Sequence, residues 1–401
     1  MKIAVYGISC AGKDTFIEKF LRHFPQYCHK KGSEQLNIIS NRIYCKNFQE
    51  LDSELQKRTR TIFAEELKNQ QDFIVDGHYC FPDSQSFKIV CTENDCKLYD
   101  IFLYLHVNPS IAKERINLSQ KNQKFRNLTE QQIKDWQLKE ISELRDICFK
   151  SRKEFIVLDA DFDLDMKFLH EYMDCFPELT PMNIAQRIVS QIENTRSDPN
   201  KFKKIAIFDC DKTIIKEDST IPFFELNNTD PAILKTIFTD DIYSVYQFWR
   251  QKELYKNFKK HPKTSLFHAN NIVIEKLKSL KTSGYHVFGL TSGIYKFWNQ
   301  FNAEHHLFEM VIGNDLNQNS KNLISDFVKG YVVELLLLQN YEVFSAGDSM
   351  CDIYMLEMSS GYLWAPGKIR PAVQTYIDNH RNTAIRQFAG NENQYKGIRG
   401  E

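Results

Sequence analysis

A chain of 401 residues exceeds the roughly 100 to 200 residues of one domain, so two folded units are expected. With 42% hydrophobic and 26% charged residues the composition is that of a packed globular protein, which argues against disorder, and no window approaches the roughly 18 to 20 continuous apolar residues of a membrane span. Lys plus Arg and Asp plus Glu both number 52, so no global field draws the chain to nucleic acid or acidic lipid.

The apolar start Ile3-Ala4-Val5-Tyr6 runs into a glycine turn rather than a signal-peptide cleavage region, and a cytoplasmic location is expected. Strand candidates at Ile3–Tyr6, Asp72–Val75, Ile101–Leu105 and Phe155–Leu158 alternate with amphipathic segments, the α/β pattern of a parallel sheet. Ten cysteines lie scattered without a CxxC pair and read as reduced thiols. Cys91 and Cys96 with His106 are too loosely spaced for a zinc site, and two loop cysteines is the better reading. The stretch from Asn194 to Lys204 is polar, carries a proline and lacks periodicity, which places a linker at 194–203 between a first domain at 1–193 and a second at 204–395. There a second α/β alternation is expected, with strands at Ile205–Phe208, His286–Leu290, Glu342–Ala346 and Gly361–Ala365. The last ten or so residues are expected to fray. No internal repeat is evident.

The first strand leads into Gly7-Ile8-Ser9-Cys10-Ala11-Gly12-Lys13-Asp14-Thr15 and then an amphipathic helix through about Phe24, the strand-loop-helix context of a phosphate loop. Glycines let successive N–H groups turn toward phosphate, the helix dipole adds to them, and Lys13 neutralises developing charge. Gly7, Ser9, Cys10, Ala11, Gly12, Lys13, Asp14 and Thr15 are the nucleotide-binding candidates, with Thr15 on magnesium. Asp14 separates the lysine from the hydroxyl residue, which resembles the adenylate kinase variant of the P-loop. That resemblance covers roughly residues 1 to 190. It implies an acceptor or metal-shell carboxylate at Asp76 in Asp76-Gly77-His78, and a lid near Lys121, Lys124 and Arg126. Arg115 and Arg126 would then clamp the transferring phosphoryl group.

In the second half, the strand before Asp209-Cys210-Asp211-Lys212-Thr213 delivers two carboxylates two residues apart. Thr291 in Leu-Thr-Ser-Gly, Lys329 in Val-Lys-Gly, and Asp348 and Asp352 in Gly-Asp-Ser-Met-Cys-Asp follow in order. This DxDxT succession resembles the haloacid dehalogenase superfamily. The resemblance implies Asp209 as nucleophile, Asp211 as general acid and base, Thr291 and Lys329 on the phosphoryl oxygens, and magnesium held by Asp209, the backbone near Asp211, and Asp348, with Asp352 orienting that shell. The roughly seventy residues between the first two motifs are long enough for a helical cap at about 216–282, as in the phosphoserine-phosphatase branch. Within it, Tyr255–Lys263 is basic with interleaved aromatics, best read as a solvated basic face.

These readings converge on a bifunctional phosphoryl-transfer enzyme with two α/β domains, using ATP and Mg2+. A small-molecule or nucleotide kinase would be joined to a phosphomonoester phosphatase. The alternatives are a polynucleotide kinase and phosphatase of nucleic-acid end repair, against which the cap and the neutral charge count, or a phosphatase gated by a nucleotide-sensing P-loop domain. The expected partners are ATP and a small phosphorylated substrate; the oligomeric state is not legible.

Overall fold

The computed structural model describes residues 1–83, 86–195, 203–314, 322–363, 369–380 and 385–387. The chain divides into two compact units, Met1–Asp174 and a second that begins at Cys175. Each is mixed α/β and built on its own parallel sheet.

The first unit runs β1 (Lys2–Tyr6), α1 (Lys13–His23), β2 (Cys28–Lys30), α2 (Gly32–Tyr44), α3 (Ser53–Leu67), β3 (Phe73–Asp76), β4 (Cys80–Asp83), β5 (Ser86–Ile89), α4 (Glu93–Leu98), β6 (Ile101–Leu105), α5 (Pro109–Leu118), α6 (Glu130–Ser151), β7 (Glu154–Leu158) and α7 (Phe162–Asp174). The main sheet has the order β2-β3-β1-β6-β7, with every neighbouring pair parallel. Helices cover both faces of such a sheet, so its inner strands carry continuous apolar runs, as Ile101 to Leu105 does with all five residues buried. In α1 the burial of Phe16, Ile17 and Phe20 follows the helical repeat, and the helix closes at Phe24, whose N–H bonds the Phe20 carbonyl. Strand order reverses at β1, and the loop after β1 therefore opens into a crevice at the carboxyl ends of the strands.

The second unit runs α8 (Pro181–Asn194), β8 (Lys204–Phe208), α9 (Thr220–Leu226), α10 (Ile233–Ile237), α11 (Val245–Tyr255), α12 (Asn271–Thr282), β9 (His286–Ile294), α13 (Tyr295–His305), β10 (Met310–Asn314), α14 (Asp326–Leu338), β11 (Glu342–Gly347), α15 (Ile353–Met358), β12 (Tyr362–Leu363), α16 (Pro371–Asn379) and β13 (Arg386–Gln387). The order β10-β9-β8-β11-β12-β13 is again wholly parallel, and it reverses at β8. Its core joins Phe208 of β8, Phe344 of β11 and Trp298 of α13 to Val273, Leu277 and Leu280 of α12.

Two boundaries differ from the sequence reading, and other expected segments lie outside the described residues. Helix α8 falls with the second unit and not the first, because its apolar face packs along α14. Most of the expected linker, 196–202, lies outside the described residues, as do 364–365 of the last expected strand and the C-terminal stretch from 388. The helical insertion is closed earlier than residue 282. Ile215 bridges Ala269 antiparallel, Lys216 N–H bonds the His268 carbonyl and Asn270 N–H bonds the Ile214 carbonyl, forming a two-stranded neck. Beyond it α12 packs against β9, so the cap comprises α9 to α11 and their connections.

Candidate functional site

The first candidate site follows β1. Lys13 opens α1 with only 9% of its surface exposed, and its Nζ donates to the carbonyls of Gly7 (2.6 Å) and Ile8 (3.1 Å) while lying 3.4 Å from His78 Nε2. Gly12 caps the helix at φ 98°, the left-handed region where a side chain is strained, and a Cβ there would also come within 3.3 Å of Phe162. Burial lowers the Lys13 ammonium to about 8, against the opposing pull of Glu140 and Asp76. Burial likewise drives His78 well below its ordinary value, Lys13 adds to that, and the buried Nδ1 of His78 has no hydrogen-bond partner among the described residues.

Asp76 ends β3 beside this loop, where its Oδ1 accepts from His29 Nε2 (2.9 Å) and from the Gly32 N–H (3.2 Å). Burial raises its pKa, but these two bonds outweigh it and hold the carboxyl below its usual range. Arg115 of α5 reaches the loop, its Nη1 lying 3.4 and 3.3 Å from the carbonyls of Cys10 and Ala11. Arg126 does not: its Nη2 donates to the Ser119 carbonyl at 3.3 Å, and the lid segment folds as a single turn on buried Phe125, with Lys124 over the rings of Phe81 and Phe125. Ser9 is buried, whereas Asp14 and Thr15 are exposed at the start of α1. Cys91 and Cys96 lie 3.7 Å apart, Cys96 within α4 rather than in a loop, and they form no metal-ligating group with His106.

The second site gathers at the carboxyl ends of β8, β9 and β11. Asp209 leaves β8 with its N–H on the Ala346 carbonyl (2.8 Å), and Lys329, in the first turn of α14, donates to Asp209 Oδ1 and Asp352 Oδ1 at 2.7 Å each. All three are buried, Lys329 to 1% exposure. The Asp352 Oδ2 atom accepts from the N–H groups of Asp348 and Ser349 at 3.1 Å and from Ser349 Oγ at 3.0 Å, so both oxygens of this carboxylate are engaged. A Cβ on Gly347 would fall 2.5 Å from Asp352 Cγ, so only glycine lets the strand end pass this close.

Burial opposes charge on both partners of the Lys329–Asp209 pair. Lys329 is nonetheless held well above the usual lysine range by Asp209 and Asp352, and it carries the positive charge of the cluster. Asp209 is driven up by burial and by Asp352 and Asp348, with Lys329 opposing. Asp211 points the same way, raised to about 6 by burial and the neighbouring Asp218, while the Ser219 N–H on Oδ1 (2.7 Å) and Trp298 Nε1 on Oδ2 (2.9 Å) hold it down. Asp348 is raised to about 7 by burial, against the pull of Arg370, whose Nη2 donates to Asp348 Oδ2 at 2.5 Å. Thr291 is 1% exposed and accepts the Gly293 N–H on Oγ1 (2.9 Å). Asp209, Asp211, Thr291, Lys329 and Asp348 line one cavity of about 580 Å3, roofed by residues of the cap.

Residues 6–134 match the family model described as an AAA domain, a span that includes the loop around Lys13. No curated protein matches the chain. Among solved structures, the phospho-aspartyl intermediate analogue of phosphoserine phosphatase is similar at 16% identity, over 44% of this chain and 91% of that one, with a TM-score of 0.35. Shikimate kinase from Bacteroides thetaiotaomicron is similar at 12% identity, over 43% of this chain and 98% of that one, with a TM-score of 0.32. A chain of the Pnkp1/Rnl/Hen1 RNA repair complex is similar at 14% identity, over 89% of this chain and 91% of that one, with a TM-score of 0.25.

Among the described residues, Asp209, Asp348 and Asp352 form the group able to hold a metal ion, with one oxygen from each within 4.8 Å of the others. An all-carboxylate set suits a hard divalent cation such as magnesium. Both oxygens of Asp352 are engaged by Lys329 and the loop donors, so Asp209 and Asp348 are the carboxylates that could ligate such an ion directly, and Asp352 would orient the loop. Three residues of these sites were not visible in the sequence: Glu140, which accepts the N–H groups of Tyr79 and Cys80 and the Tyr104 hydroxyl, and Trp298 and Arg370, which hold Asp211 and Asp348. Each arrives from a helix or loop with no motif of its own.

The basic cap segment is placed outside the cavity. Tyr255, Phe258 and His261 pack against Phe223 and Phe224 inside the cap, while Lys256, Lys259, Lys260 and Lys263 face solvent.

Proposed function

We propose that the second unit is a magnesium-dependent phosphomonoester phosphatase that works through an aspartyl phosphate, and that the first is an ATP-dependent kinase for a small acceptor. The observation that carries the phosphatase reading is the convergence of Asp209, Asp211, Thr291, Lys329 and Asp348, from four separate stretches of chain, on one capped cavity. Asp209 attacks phosphorus as the bond to the alcohol oxygen breaks, and that oxygen leaves with the electron pair and takes a proton from Asp211. A carboxyl poised at about 6 suits both giving that proton and then removing one from the water that displaces Asp209, which yields inorganic phosphate and the free alcohol. Lys329 and Thr291 receive the equatorial oxygens. Magnesium, held by Asp209 and Asp348, supplies charge neutralisation between anionic nucleophile and anionic ester.

The kinase reading rests on the buried Lys13, the left-handed Gly12 and Arg115 at the loop. Its acceptor is a small molecule, because the neutral chain offers no excess positive field for a polymer. Phosphate release from a panel of phosphomonoesters in magnesium tests the first half. Asp209→Asn is expected to lower it by about a thousandfold or more, and Lys13→Ala to abolish ATP-dependent transfer while leaving that release intact. Release that is indifferent to Asp209 would sink the phosphatase reading.

A further inference from the structure

The cap side of the cavity is chemically unlike its catalytic floor. Phe238 at the end of α10, Tyr243 in the following connection and Phe248 of α11 all line it. The Phe238 and Tyr243 rings lie 5.3 Å apart at 29°, Tyr243 and Phe248 6.2 Å apart at 27°, and Phe238 and Phe248 5.2 Å apart. Two of the three rings are thus close to coplanar in orientation with Tyr243, and Phe238 and Tyr243 remain partly exposed within the cavity. Ile221, 41% exposed although apolar, and Leu234 line the same space. Leaving such faces open to water is unfavourable unless a ligand covers them.

The cap also brings polar groups to the cavity, among them Thr220, Asp230, Lys235, Asp241 and Gln251. Gln251 of α11 is only 6% exposed and lines the cavity. Its donor and acceptor fit the polar edge of a ring rather than a formal charge. Two charge pairs also line the cavity, Lys212 with Asp218 at 2.7 Å and Arg370 with Asp348 at 2.5 Å. A volume of about 580 Å3 lies within the range of roughly 300 to 1,000 Å3 that encloses ligands larger than a phosphate with a three-carbon tail.

We infer that this pocket takes a phosphomonoester whose leaving group is a nucleoside, the base stacked on the Phe238–Tyr243–Phe248 wall with its polar edge toward Gln251. The inference rests on the phosphatase reading above and adds the substrate class to it. Base-to-aromatic stacking is worth enough to change specificity by roughly tenfold or more.

The test compares phosphate release from adenosine 5′-monophosphate and ribose 5-phosphate, which differ only in the base, with O-phosphoserine as a small zwitterionic ester. The expected result is a kcat/KM at least about tenfold higher for the nucleotide than for either ring-free ester. Phe238→Leu, which keeps an apolar side chain but removes the ring, should lower the nucleotide value by about tenfold, leave ribose 5-phosphate within twofold, and be rescued by Phe238→Tyr. Equal turnover of ribose 5-phosphate, or an equal loss on both esters in Phe238→Leu, overturns the stacking wall while leaving the phosphatase standing. Failure to release phosphate from any ester overturns the phosphatase reading, and the inference with it. Adenosine 3′-monophosphate against a 3′-phosphorylated oligonucleotide distinguishes a free nucleotide from a chain end as the source of the base, and a preference for either over ribose 5-phosphate supports the wall.

Discussion

In the proposed mechanism Asp211 has to remain correctly aimed through two proton transfers, and two donors hold it. The Ser219 N–H holds one oxygen and Trp298 Nε1 the other, the indole lying fully buried behind the site and outside the cavity lining. A hydrogen bond to an ionisable group is worth about 1.5 to 3 kcal/mol, and this one fixes geometry as well. Trp298→Phe is therefore expected to lower kcat by roughly ten- to a hundredfold with KM unchanged, since the ring meets no substrate. Steady-state phosphate release in magnesium measures both constants. A rise in KM with kcat intact would mean that the indole shapes the pocket instead. Asp209, Asp211, Thr291, Asp348 and Asp352 could be singled out in the sequence because each stands at or near a strand end inside a short motif, and Lys329 because it falls in order among them within Val-Lys-Gly. Trp298 could not, because at its position in α13 an apolar stripe with Phe297 and Phe301 reads as core, and only folding brings its one polar atom to Asp211.

At the scale of elements, apolar runs place most central strands to within a residue or two, as for Ile101–Leu105, where expectation and structure coincide, whereas β9 runs four residues past the expected Leu290 to Ile294. Strand β2 escaped notice because it holds only three residues, β10 because its apolar run is only Met310–Ile312, and β4 with β5 because a short hairpin beside a parallel sheet has no long alternation. One edge strand carries a measurable consequence. Glu154 opens β7 fully packed, its Oε2 accepting from the Tyr172 hydroxyl of α7 at 2.6 Å, and burial raises its pKa from 4.5 to about 7 despite that bond. Between those values the folded chain binds the proton and the unfolded chain does not, so the contribution of Glu154 to stability is complete below about 4.5 and is lost as pH rises through about 7. The loss is on the order of 3 kcal/mol. Glu154→Gln removes this titration while keeping an acceptor for Tyr172, so thermal unfolding followed from pH 5 to pH 8 should fall less steeply in the variant than in the parent. Parallel pH profiles would show that the carboxyl is already ionised in the folded state.

At the scale of the molecule, both sites occupy the place where strand order reverses, β1 in one sheet and β8 in the other, so two unrelated motifs are presented by the same architectural rule. Where the second unit begins is a question of burial rather than of composition. The polar stretch after α8 reads as a linker, yet α8 itself buries Ile184, Ala185, Ile188, Val189 and Ile192, with the three isoleucines at no exposure. Burying three isoleucines and a valine contributes about 1.5 to 3 kcal/mol each. The sum is comparable with the roughly 5 to 15 kcal/mol that holds a whole domain folded. A fragment beginning at Cys175 is accordingly expected to melt cooperatively and to keep its Asp209-dependent phosphate release. One beginning at Lys203 leaves the face of α14 that α8 covers open to water, and it should show no cooperative transition by circular dichroism, or aggregate on expression. Equal melting temperatures for the two fragments would show that α8 only rests on α14, and the unit would then begin at β8, where the sequence places it.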